Sequence, residues 1–76
     1  MVHYIAVNEL LKDDQLGTYR AYGLAVYEGN DQTSVLHDVF PNEREANKYA
    51  DLFNREQLDT VHLEQVIEGY LQFGEI

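Results

Sequence analysis

The sequence predicts an α+β domain: a three-stranded antiparallel β-meander followed by two α-helices packed on one sheet face, in the order β-β-β-α-α. Three observations predict it. Residues 1–40 contain short runs rich in Val, Ile, Tyr and Thr, separated by glycine and small polar residues, as strands joined by tight turns should. The single proline, Pro41, closes that region. Beyond it the apolar residues recur every three or four positions, which is the helical period.

Each element can be justified in turn. VHYIAVN (2–8) is rich in β-branched and aromatic residues and reads as a strand. KDDQLG (12–17) is polar and ends in glycine, the pattern of a hairpin connection. TYRAYGLAVYE (18–28) is the longest strand candidate, GNDQ (29–32) the clearest turn, and TSVLHDVF (33–40) the third strand. Connections this short favour antiparallel neighbours, because a parallel pair needs a crossover of about a dozen residues or more.

Pro41 sends the chain out of the sheet and Asn42 follows as an N-cap. Glu45 stands three residues later, in the manner of a capping box. Ala46, Tyr49, Ala50 and Phe53 lie at i, i+3, i+4 and i+7 and form one stripe of a first helix over 42–57. Asp51 and Arg55 are placed for an i,i+4 pair worth about 0.3 kcal/mol. QLDT (57–60) interrupts the pattern, and Asp59 or Thr60 can cap a second helix over 60–73. At about 100° per residue, Leu63, Val66, Ile67 and Tyr70 form its buried stripe, flanked by Leu71 and Phe73. Glu64, Gln65, Glu68 and Gln72 gather on the opposite side, with His62 near the boundary.

A chain of 76 residues makes one domain, 1–76, with its sheet in 1–40. At this size only roughly 60% of the unfolded surface is buried. No cysteine is present to add a disulfide or a thiolate metal site, so a partner copy is one way to steady the fold. Fourteen acidic residues against five basic ones give a formal net charge of −9, and no Lys or Arg follows Arg55. Nucleic acid is bound through Lys and Arg that neutralise phosphates, so direct binding to nucleic acid, or to an anionic membrane, is not expected. The amino-terminal run Met-Val-His-Tyr-Ile-Ala-Val has no basic region before Glu9, which argues against a signal peptide. No apolar run approaches the ~20 residues that span a bilayer. The expected setting is cytoplasmic.

No catalytic, cofactor or metal site is expected. The chain lacks a GxSxG elbow, a P-loop and a GxGxxG. His3, His37 and His62 fall on three different elements, and strand alternation sends His37 and Asp38 to opposite faces. On the second helix His62 is roughly 160° from Glu64 and 120° from Glu68, so it shares a metal with neither. Glu64 and Glu68 do share a face, as like charges. That makes either a solvated exterior or an acidic docking face for a Lys/Arg-rich partner.

The second strand raises a different prospect. Tyr19, Ala21, Gly23, Ala25 and Tyr27 alternate to one side, and Arg20, Tyr22, Leu24 and Val26 to the other. Both faces are partly apolar, whereas a sheet with one face in water usually alternates more cleanly. One face should meet the helices; the other is either covered by a second copy or a protein partner or an ordinary aromatic ladder left in water. The interaction candidates are therefore Tyr19, Tyr22, Tyr27, Glu64 and Glu68.

The stretches TYRAYGLAVYE and ANKYADLFNREQLDTVHLEQVIEGYL resemble a family of short uncharacterised proteins from Firmicute bacteria, described only as a domain of unknown function. That resemblance covers nearly the whole chain. It implies the same β-then-α order and a cytoplasmic setting, and it brings no catalytic residues with it. The function expected from the sequence is that of a small acidic, non-enzymatic protein-interaction or regulatory module. Its alternatives are a small-ligand-binding domain with a cleft lined by Tyr22, Tyr49, Tyr70 and His62, and an acidic nucleic-acid mimic.

Overall fold

Strands β1 (Val2–Asp13), β2 (Gly17–Glu28) and β3 (Asp31–Phe40) form one antiparallel sheet in the order β1-β2-β3, followed by helices α1 (Glu43–Glu56) and α2 (Thr60–Phe73). The computed structural model describes residues 1–75. The β-β-β-α-α order expected from the sequence is the one observed.

The first hairpin is longer than its apolar run, since β1 stays paired with β2 as far as Asp13 opposite Gly17. Asp13 holds the turn: its carboxylate accepts the amides of Gln15 and Leu16 at 2.8 and 2.9 Å. This is the local side-chain turn that aspartate favours, and the two amide bonds hold the carboxyl below its ordinary value. The second hairpin turns through Gly29 and Asn30, with Gly29 at φ 64°. A positive φ at the first of two central residues is the II′ arrangement, which suits strand twist and needs glycine there.

Tyr22, Leu24 and Val26 of β2 point towards the helices, and Leu24 and Val26 are completely buried. They meet Tyr4 of β1, Phe40 of β3, and the α1 stripe of Ala46, Tyr49, Ala50 and Phe53. α2 adds Leu63, Ile67 and Tyr70, while Val66, Leu71 and Phe73 stay partly or largely exposed. Aromatic rings join the layers. Tyr70 lies edge-on to Phe40 and to Tyr49, both at 5.0 Å between centroids, and Tyr4 lies edge-on to Phe53 at 5.4 Å. Fully burying one such side chain contributes about 1.5–3 kcal/mol, so these rings dominate the cohesion of a small core.

The helix ends follow from their residues. Asn42 accepts the Glu45 amide at 2.9 Å, and Asp59 accepts the Val61 amide at 3.1 Å, each satisfying one orphan donor. Glu45 does not close the expected box; its carboxylate accepts from the Tyr70 hydroxyl at 3.4 Å and so ties α1 to α2. Gln57 adopts the left-handed conformation at φ 50°, and the Leu58 amide donates to Phe53 O at 3.0 Å, the hydrogen bonding of a Schellman ending. Arg55 does not pair with Asp51; its nearest carboxylate is Glu56 at 3.9 Å, with both side chains largely exposed.

Both edge strands of the sheet carry an interruption to regular pairing. On β1, Asn54 of α1 accepts the Tyr4 amide at 2.7 Å and donates to the Tyr4 carbonyl at 2.8 Å. One side-chain amide thus occupies both outward groups of Tyr4, as a neighbouring strand would. The Tyr4 hydroxyl donates to Leu58 O at 2.7 Å and pins the end of α1 to the same strand. On β3 the pairing is broken by two irregularities, one between Val26 and Tyr27 and one between Tyr22 and Leu24. Bulged edges and occupied edge groups are how natural sheets avoid adding strands.

Candidate functional site

Helices lie on one face of the sheet only. On β1 and β2 the even-numbered residues point towards them, as Tyr4, Leu24 and Val26 show. The odd-numbered residues therefore line the open face. It consists of His3, Ile5, Val7, Glu9 and Leu11 on β1, and Tyr19, Ala21, Gly23, Ala25 and Tyr27 on β2. Val35 joins them from β3, opposite Ala25. Ile5 is 41% exposed, and Val7, Leu11 and Val35 are half-buried.

The open face is shaped by the larger irregularity in β3. Tyr22 pairs with Phe40 and Leu24 with Leu36, so Gly23 alone stands opposite His37, Asp38 and Val39. The extra residues fold down onto β2. A Cβ on residue 23 would lie 1.8 Å from the Leu36 carbonyl oxygen and 3.3 Å from the His37 Cα. Only glycine leaves room for that approach. Asp38 takes up the bend at φ 46°, a left-handed conformation that aspartate tolerates better than most residues.

This bulge overturns the alternation expected for His37 and Asp38. Both side chains reach the open face, where His37 Nδ1 bonds the Glu9 carboxylate and Asp38 accepts the Tyr19 hydroxyl at 2.8 Å. Four polar side chains from three strands are thus gathered in two bonded pairs beside the apolar residues of this face. The Asp38 bond raises the Tyr19 hydroxyl above its ordinary value, because the phenol must keep its proton to donate; slight desolvation and the nearby charges of Asp38, Asp13 and Glu9 add to it. Among the described residues no three His, Asp or Glu side chains converge as a metal site. A hydroxyl, thiol or amine placed as a nucleophile is not part of the His37–Glu9 contact either.

The residues singled out from sequence separate spatially. Tyr19 and Tyr27 lie half-buried at opposite ends of the open face, and the Tyr27 hydroxyl donates to Gln32 at 3.0 Å. Tyr22 is on the helix side. Glu64 and Glu68 are exposed on α2, away from the sheet. Of the residues proposed to line a cleft, Tyr49 and Tyr70 pack against each other in the core and His62 is exposed. A concavity sits between β1 and the start of α1, beside Asn8, Tyr22 and Asn47, with a volume of about 30 Å³. That space suits one water molecule. Glu9, His37 and Asp38 were not foreseen as neighbours. The signal that could have joined them is Gly23, a lone glycine inside the best strand of the chain, which marks a bulge or a close backbone approach.

The cations are all elsewhere. Arg44, Lys48 and Arg55 are on α1, and Lys12 and Arg20 are at even positions on the helix side of the sheet. Arg20 confirms its side by donating to Asn8, another even-numbered residue. No helix among the described residues is long and apolar enough to cross a membrane. No protein-family model, curated protein or solved structure matches this chain.

Proposed function

We propose that this chain is a small, non-enzymatic protein-interaction module that works through the open face of its sheet. The observation that carries this reading is the one-sided placement of the helices, which leaves Ile5, Val7, Leu11 and Val35 as an apolar strip between Tyr19 and Tyr27. Exposed apolar patches rimmed by polar groups are characteristic of contact surfaces, and tyrosine supplies contact area with a polar tip. The clamp on Tyr4 and the bulged β3 favour contact through the face over strand addition. The one-water concavity is far below the roughly 300 Å³ from which small-molecule pockets begin.

The test is affinity capture from an extract of the native host with three baits, quantified by mass spectrometry. The baits are the unaltered chain, an Ile5→Ser/Val35→Ser variant, and a Glu64→Gln/Glu68→Gln variant, each shown to be folded by circular dichroism. The expected result is a set of proteins retained by the first and third baits and lost by the second. An identical set on all three baits overturns the reading.

A further inference from the structure

We infer that the occupant of the open face is a protein segment bearing Lys or Arg beside apolar side chains, and not a second copy of this chain. The inference rests on the interaction reading above and names its partner. It comes from where the charges sit. Of five basic residues, three are on α1 and two on the helix side of the sheet, so the open face holds none. Its titratable groups on β1 are His3 and Glu9, with Asp13 at the hairpin tip. β2 contributes Tyr19 and Tyr27, and β3 contributes His37 and Asp38.

Glu9 and Asp38 are placed to serve an incoming cation. Glu9 stands between Val7 and Leu11 on the same side of β1, so an apolar contact lies roughly 7 Å away in either direction. Its partner is a histidine, and the partner of Asp38 is a phenol, so neither carboxylate is engaged by a Lys or Arg of its own chain. The Glu9 side chain is 40% exposed and that of His37 61%. Each carboxylate has about four acceptor positions, most of them open to water. Anchored carboxylates beside a flat apolar strip match a partner whose ammonium or guanidinium groups flank apolar side chains.

A second copy fits this face less well. A twofold contact is self-complementary, so it would bring both copies of Glu9 and Asp38 into one small interface with no Lys or Arg to meet them. Each copy also carries a net charge of −9.

Nuclear magnetic resonance on the ¹⁵N-labelled full chain tests the inference with two synthetic amphipathic peptides of equal length, one of Leu and Lys and one of Leu and Glu. The Leu/Lys peptide should shift amides of Ile5–Leu11 and Val35–Asp38 and bind more tightly than the Leu/Glu peptide. Its affinity should fall roughly fivefold on raising salt from 50 to 300 mM, and by a similar factor in Glu9→Gln/Asp38→Asn. Those substitutions keep the side-chain shapes, and asparagine also accepts the left-handed backbone at position 38. Equal binding of both peptides at the open face, or a concentration-dependent dimer that buries it, overturns the basic occupant and leaves the interaction reading standing. Leu/Lys shifts centred on Glu64 and Glu68, or no shifts at millimolar peptide, also overturn the inference. The capture experiment tests the broader reading separately.

Discussion

The two faces of the sheet are buried to a similar depth along β2 by opposite means. On the helix side Leu24 and Val26 are fully buried beneath rings brought by α1 and α2. On the open side Ala21 and Ala25 are 1% and 3% exposed, although no helix covers them. Between them, at Gly23, the backbone of β3 comes down onto the strand. The large-small alternation Ala21-Tyr22-Gly23-Leu24-Ala25-Val26 therefore records two requirements: volume for a core on one side, and clearance for a bulge on the other. Burial alone does not reveal which face is packed; residue size does.

The largest expected contrast between the faces comes from truncation. Leu24→Ala should cost about 2–5 kcal/mol through lost burial and a cavity, a large part of the total for a chain of this size. Val35→Ala on the open face should cost less than about 1 kcal/mol. Urea unfolding followed by circular dichroism measures both, and equal losses would mean that the open face is packed. Next comes Gly23→Ala, where a methyl group meets backbone. It should destabilise by about 1–3 kcal/mol and displace the resonances of His37 and Glu9. Gly69→Ala in α2 meets nothing within 4 Å and should instead stabilise by about 0.5–1 kcal/mol.

Removing the edge clamp with Asn54→Ala should cost about 1–3 kcal/mol, because it leaves the Tyr4 amide and carbonyl without partners. Amide hydrogen exchange at Tyr4 should accelerate more than exchange at the centre of β2. The smallest effect distinguishes the faces by pH. Tyr4 and Tyr70 are raised above the ordinary tyrosine value chiefly by burial, whereas Tyr19 is raised chiefly by its bond to Asp38. A folded-state value above the unfolded one stabilises below the ordinary value, and that stability is lost as pH rises through the raised value. Asp38→Asn should return Tyr19 towards its ordinary titration while Tyr4 and Tyr70 stay high, as read by ring resonances against pH.

Much of the fold was legible because the determining signals are local. Alternation along β2, the Asn42 cap, and the spacing of Ala46, Tyr49, Ala50 and Phe53 each act within one element. The meeting of Glu9, Tyr19, His37 and Asp38 was not legible, because it depends on two extra residues in β3, three standing opposite one glycine in β2. Nothing in TSVLHDVF itself announces a break in period, so alternation places His37 and Asp38 apart. The Glu45–Tyr70 contact escaped for the same reason. A carboxylate that completes a local box on paper is drawn to a hydroxyl 25 residues away once α2 folds over α1. Asp51 and Arg55 show the converse: helical spacing permits an exposed pair, and solvent gives the side chains no reason to keep it.

The bonds between Asn54 and Tyr4 span 50 positions of chain, and this separation has a consequence for how the molecule is made. Both hairpins close through turns of a few residues, so the sheet is able to assemble early in folding. Its first strand then keeps the outward groups of Tyr4 bare until the far end of α1 docks on it. For that interval the folding chain is most open to pairing with a neighbour's strand, and a single asparagine ends it.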